Sequence, residues 1–166
     1  DDKLTFAYNA DGGHETIYTA VVNSINNTLG SEVAATNPYP TFNDYRTAVS
    51  DRKVQGAFRS GWQPDYPSAE NYLVQNFSSS AADGNGSNDG DYKNSKFDDL
   101  CNQAAAAQTT DEANKLYQQA REVLLNDLPA VPLYYANAYG VASTNVSNFE
   151  MNWQNLPVYE NMTKSK

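Results

Sequence analysis

The sequence predicts an α/β fold, and three observations predict it. Strand-like and helix-like segments alternate through residues 4–60, an order that favours a sheet with parallel pairings covered by helices. Later segments carry apolar residues at helical spacing. Apolar residues make up 40% of the 166, among them twelve Tyr, six Phe and two Trp. That is enough to fill the core of one domain spanning residues 1–166.

Residues 4–8, Leu-Thr-Phe-Ala-Tyr, are rich in β-formers and stop at the turn cluster Asn9-Ala10-Asp11-Gly12-Gly13. From residue 15 to 29, Ile17, Val21, Val22, Ile25 and Leu29 recur at helical spacing, and Gly30 supplies the stop. Residues 32–37 read as a short strand that Pro38 and Pro40 end. Thr41 is placed to cap a helix to Ser50, with Phe42, Tyr45 and Val49 on one side. Residues 56–60 form the next strand.

A short helix is expected over residues 69–77. Residues 78–90, nearly all Ser, Ala, Asp, Asn and Gly, make a surface loop. Helices over 95–107 and 111–126 follow. Thr109-Thr110-Asp111 caps the second, whose core face is Ala113, Leu116, Tyr117, Ala120, Val123 and Leu124. Pro129 and Pro132 bracket a turn into a long aromatic strand over 131–142. From Asn145 onward, Phe149, Met151, Trp153, Leu156, Tyr159 and Met162 follow no clean period. An irregular tail so rich in large apolar groups is expected to pack on something.

The charge balance narrows the function. Eleven basic against 20 acidic residues leave a net charge of −9 and a pI near 4.4. Such a field repels phosphate backbones and anionic lipid, which argues against nucleic-acid and polybasic membrane roles. The single cysteine, Cys101, excludes an internal disulfide framework and a multi-cysteine metal site. On a predicted helix it reads as a small buried hydrophobe. No run reaches the ~18 apolar residues of a membrane span. Acidic character with abundant Asn, Ser, Thr and Tyr fits an exported soluble protein, and a start almost inside a strand suggests a mature or excised piece.

Gly61-Trp62-Gln63-Pro64-Asp65-Tyr66-Pro67 is the densest functional signal. It sets a carboxylate between two prolines, beside aromatic surface, at a strand end. A desolvated anion there can hold a ligand cation; its structural alternative is an Asx-turn or helix-entry aspartate before Pro67-Ser68. Asn85-Gly86-Ser87-Asn88-Asp89-Gly90 imitates a calcium loop, but position one is Asn85 and the bidentate position is Lys96, a cation, so no metal is expected. With one histidine and one helix-borne cysteine, no nucleophilic triad assembles. The Asp11/Glu15 and Asp98/Asp99 pairs read as helix-start charges. Nothing implies a cofactor. A rival of another class is an acid-dependent hydrolase using Asp65 and Asp11. A surface interaction domain working through the aromatic tail is a third reading.

Five segments stand in a telling order: Leu4-Thr5-Phe6-Ala7-Tyr8-Asn9 with the helix after Gly13; Gly61-Trp62 with Asp65-Tyr66-Pro67; Tyr92-Lys93-Asn94-Ser95-Lys96-Phe97-Asp98-Asp99-Leu100; Leu116-Tyr117 through Leu124-Leu125; and Leu128-Pro129-Ala130-Val131-Pro132-Leu133-Tyr134-Tyr135. Nearly end to end, the chain resembles the C-terminal lobe of family 5 bacterial extracellular solute-binding proteins, the oligopeptide/dipeptide receptors of ABC importers. The resemblance implies a type II periplasmic-binding-protein-like lobe, a mixed sheet flanked by helices. The N-terminal lobe, hinge and lipoprotein signal would lie outside this chain, and residues 145–166 would pack toward the missing lobe.

The resemblance also implies a function and site residues. The partners would be a peptide and the ABC permease transmembrane subunits, the receptor a monomer outside the cytoplasm, membrane-bound only through a lipid anchor. Asp65 would pair with the ligand's α-ammonium and Trp62 would wall the pocket. Arg59 would meet the ligand's carboxylate, and His14 the carboxylate of longer peptides. Main-chain bonds from Ser60, Gly61 and Trp62 would hold the peptide as an added strand. Tyr66, Tyr92 and Tyr139 are further wall candidates. A sugar, nickel complex or opine in place of a peptide is the variant within the family.

Overall fold

The computed structural model describes residues 3–137 and 139–165, and by its internal contacts the chain divides into two units, Asp1–Gly61 and Trp62–Lys166. In the first, β1 (Leu4–Asn9) is the middle strand of a parallel sheet, between β2 (Ala34–Tyr39) and β3 (Ala57–Phe58). The crossovers are α1 (Glu15–Leu29) and α2 (Phe42–Ser50). Neighbouring residues on a strand point to opposite faces, and β1 uses both. Ala7 packs against Tyr45 and Val49 of α2. Tyr8 stacks on Tyr18 of α1, ring centroids 5.1 Å apart. The helices therefore cover opposite faces of the sheet, as its parallel pairing requires.

Two strands differ from expectation. β2 begins two residues late because the Asn26 side chain grips both the N–H and the C=O of Ala34, at 2.9 and 3.0 Å. It then runs through Pro38, which an edge strand tolerates because a missing N–H can face the open side. β3 is two residues long, not five. Gly56 turns at φ 87°, and a Cβ there would sit 2.6 Å from the Thr5 carbonyl oxygen. One further ladder bond, Arg59 N–H to Ala7 C=O at 2.8 Å, extends the pairing beyond Phe58.

The second unit is built on α3 (Ala69–Phe77), α4 (Ser95–Ala105) and α5 (Thr110–Asp127). Each opens on a side-chain cap: Ser68 accepts from Glu70 N–H, Asn94 from Lys96 and Phe97 N–H, Thr109 from Glu112 N–H. Phe97, Leu100, Cys101 and Ala104 of α4 interlock with Tyr117, Ala120, Val123 and Leu124 of α5, and Leu73 of α3 joins them. The fully buried Ala120 and nearly buried Ala104 let the helices approach closely. Within the loop after α3, Asn88 is buried; its amide donates to the Ser78 and Tyr92 carbonyls and its oxygen accepts from Tyr92 N–H. The calcium-like segment is thus organised by one asparagine.

The aromatic strand expected over 131–142 is not formed. Residues 131–137 and 139–142 are outside any strand and exposed. The segment after Asn145, expected to be irregular, is framed by an antiparallel pair, β4 (Val146–Ser147) and β5 (Thr163–Lys164), with Met151 bridged to Pro157.

Candidate functional site

The loop that enters the second unit is organised around one side chain. Asn71, on the first turn of α3, is 1% exposed. Its Oδ1 accepts from the Trp62 indole Nε1–H at 2.8 Å and from Asp65 N–H at 3.0 Å. Its Nδ2 donates to Asp65 Oδ2 at 3.1 Å. Asp65 is bound at its backbone and at its carboxylate by the two ends of one amide, which also fixes the tryptophan. The sequence expectation was a desolvated carboxylate; in this chain Asp65 is exposed, one oxygen held by Asn71. Tyr66 is exposed and donates its hydroxyl to Glu70 at 2.9 Å, which holds its phenol above the ordinary range. From the tail, Gln154 Nε2 donates to the Pro64 carbonyl at 3.1 Å, and Gln63 Nε2 donates to the Gln154 carbonyl at 2.7 Å. This pair fastens the tail to the loop.

The remaining candidates lie in the first unit, where the parallel strands end, the edge at which open α/β sheets bind ligands. Arg59 is half-buried, and its carbonyl accepts from the Tyr45 hydroxyl. Ser60 and Gly61 are exposed and belong to no strand. The edge on which a peptide was expected to add as a strand is thus short. His14 stands at the N-terminus of α1, half-buried rather than fully exposed. Its ring lies over Gly12, where a Cβ would fall 2.5 Å from His14 Nε2. Burial lowers the pKa of His14; the Arg59 charge lowers it further, and Asp11 partly opposes. Asn9 Oδ1 is buried and without a partner among the described residues, the kind of acceptor a ligand donor satisfies.

Asp11 takes its two oxygens to Asn9 Nδ2 at 2.7 Å and to the Phe42 N–H, the first residue of α2, at 3.0 Å. Those bonds lower its pKa. The helix-start reading of Asp11 holds, though the helix is α2 rather than α1. Two of the tyrosines serve elsewhere or stand free. Tyr92 donates to Asp127 at 2.6 Å with its ring edge-on to Phe97, and Tyr139 is exposed. Cys101 is buried, and that burial pushes its thiol up to about 11.

No family model matches the chain. Among curated proteins it is 28% identical to the probable deoxycholate-binding periplasmic protein YgiS of Escherichia coli over 90% of its length and 26% of that protein. It is 27% identical to the dipeptide-binding protein DppE of Bacillus subtilis over 81% of its length and 23% of that protein. The solved structure of the Escherichia coli murein tripeptide binding protein MppA superposes with a TM-score of 0.84 at 20% identity, over 99% of this chain and 31% of that one. These relatives are family 5 solute-binding proteins, and the chain has their fold. It spans about a quarter of the length of the curated relatives. All three are named for binding, and no helix among the described residues is long and apolar enough to cross a membrane.

Asn71 is the residue that sequence reading missed. A signal was present: it stands three residues before Val74 on the face of α3 that turns inward, where a polar side chain must have partners.

Proposed function

We propose that the chain is the C-terminal lobe of a receptor that captures peptides with a free amino terminus outside the cytoplasm and delivers them to an ABC importer. One observation carries the reading: a carboxylate held by a buried amide beside a tryptophan, with Asp65 Oδ1 making no hydrogen bond among the described residues. That oxygen is offered to a cation. The ligands for which DppE and MppA are named, a dipeptide and a murein tripeptide, support the ligand class.

Closure of a second lobe over this surface would bury Asp65, and a ligand ammonium would then offset the cost of desolvating it. The exposed residues Val131, Leu133, Tyr134, Tyr135, Tyr139 and Val141 support a covering lobe, because so large an apolar surface calls for a cover. No step of catalysis is assigned. Asp11, the partner a hydrolase would need, has both carboxylate oxygens engaged in structural bonds.

The test is calorimetry on the full-length receptor with trialanine and N-acetyl-trialanine. Asp65→Asn should cost the free peptide about 2–5 kcal/mol and leave the acetylated one nearly unchanged. An unaltered free-peptide affinity removes Asp65 from the site. A second reading, a steroid-acid solute, is favoured by the name of YgiS. Deoxycholate binding that is indifferent to Asp65→Asn, with no peptide heat, would establish it instead.

A further inference from the structure

We infer that Asn71 is the positioning residue of this site: it presets the Asp65 carboxylate and the Trp62 indole in one geometry, and thereby sets the discrimination between free and blocked amino termini. The inference rests on the peptide reading above and extends it to a residue that touches no ligand.

The chemistry required at position 71 is narrow. One group must accept two hydrogen bonds at one end, from Trp62 Nε1–H and Asp65 N–H, and donate one at the other, to Asp65 Oδ2. A short planar amide does this. An aspartate would set a second carboxylate against Asp65 and lose the donor; a leucine would take the acceptor away from the Trp62 and Asp65 N–H groups and release the Asp65 carboxylate. A glutamine would push the amide one methylene too far. The helix supplies the rigidity, because Ser68 caps α3 and fixes the turn from which Asn71 projects.

The functional consequence follows from where the flexibility would otherwise lie. An exposed aspartate in a Pro-flanked loop samples several rotamers, and a ligand that needs one of them binds at the expense of that freedom. Here one Asp65 oxygen is already engaged by Asn71, so the other points in a set direction before any ligand arrives. The tryptophan beside it is fixed by the same amide. Both elements of an ammonium site, an anion and an aromatic wall, are thus held by one residue.

Asn88 provides an internal control. It is also 1% exposed and also makes three hydrogen bonds, but only to backbone atoms of its own loop. In the full-length receptor, the ratio of affinities for trialanine and N-acetyl-trialanine is measured for Asn71→Ala, Asn88→Ala and Asp65→Asn, alongside thermal unfolding. Both asparagine variants should lose thermal stability. Only Asn71→Ala should also lower the free-to-blocked ratio, by about tenfold, while Asn88→Ala leaves it alone. Should Asn71→Ala not fold, Asn71→Ser, which keeps a hydroxyl near the indole but drops the amide donor, is expected to lower the ratio in the same direction. An unchanged ratio in the Asn71 variant, with the ratio collapsed by Asp65→Asn, overturns this inference and leaves the peptide site standing. A ratio untouched by Asp65→Asn overturns the peptide reading and this inference with it.

Discussion

The α4–α5 pair and the segment that follows it are built from similar residues and end in opposite states. Along the pair, apolar side chains recur every three or four residues, so one stripe of each helix meets its partner, and Phe97 and Ala120 lose all contact with solvent. Past Leu128, which turns the chain at φ 50°, the apolar content is higher still, yet Val131, Leu133, Tyr134, Tyr135, Tyr139 and Val141 are all exposed. The exposed segment is if anything the more apolar of the two; what differs is the presence of a partner. A helix satisfies its own backbone and needs only a facing stripe, whereas an extended segment needs a neighbouring strand for its N–H and C=O groups as well. The first can be completed within 166 residues. The second cannot, if its partner lies in another part of a longer protein.

The largest effect separates the two regions outright. Phe97→Ala removes a side chain with no exposure from the centre of the helical pair, and should cost about 3–5 kcal/mol in urea unfolding followed by circular dichroism. A loss below about 1 kcal/mol would mean that the pair relaxes around the gap and is not the close-packed part of the chain.

A smaller effect sharpens the view of how the pair is closed at its end. Tyr92 and Asn94 both donate to Asp127 Oδ2, at 2.6 and 2.7 Å, tying the approach to α4 onto the last residue of α5. Burial first, and then the bond to Asp127, push the Tyr92 phenol up to about 12. The sign follows from that direction. Below the unfolded value near 10 both states hold the proton and the stabilisation is complete. Between there and about 12 the unfolded chain releases its proton first, so stability falls as pH rises. Tyr92→Phe keeps the ring against Phe97 and should cost about 1 kcal/mol at neutral pH. The gap between the two proteins should close as pH climbs from 10 to about 12. A gap that stays constant over that range would show that the hydroxyl does not couple to folding.

What the sequence made legible divides along the same line. Helices announced themselves through a period and a cap. Thr41 and Thr109 were read as caps and are caps, and α3 begins and ends where expected. The parallel sheet was legible from the alternation of elements, but the limits of its strands were not. Asn26, eight residues before Ala34 in the chain, sets the start of β2, and the approach of Gly56 to Thr5 shortens β3. Both are tertiary contacts with no local signature. At the site, Trp62 and Asp65 stood out as residue types in an unusual order. Asn71 did not, because its importance lies in three bonds that only the folded loop creates. The aromatic stretch 131–142 had the composition of a strand, and composition cannot report whether a partner strand is at hand.

The smallest effect is the most discriminating for that last region. Tyr135 is fully exposed in this chain, and none of its side-chain atoms is needed to hold the fold shown. Tyr135→Ser should therefore shift the unfolding free energy of the 166-residue chain by no more than about 0.5 kcal/mol. If the chain is one lobe of a longer receptor, as proposed above, the expectation reverses: a second lobe covering the segment would bury the same tyrosine, and its loss would then cost about 2 kcal/mol or more. Hydrogen exchange gives the matching readout, with the amides of residues 131–137 exchanging freely in the short chain and protected in the long one. Neutrality in both proteins would mean that the segment is a solvent-facing ribbon in its natural setting too, and the contrast between the two regions would then be one of design and not of a missing neighbour.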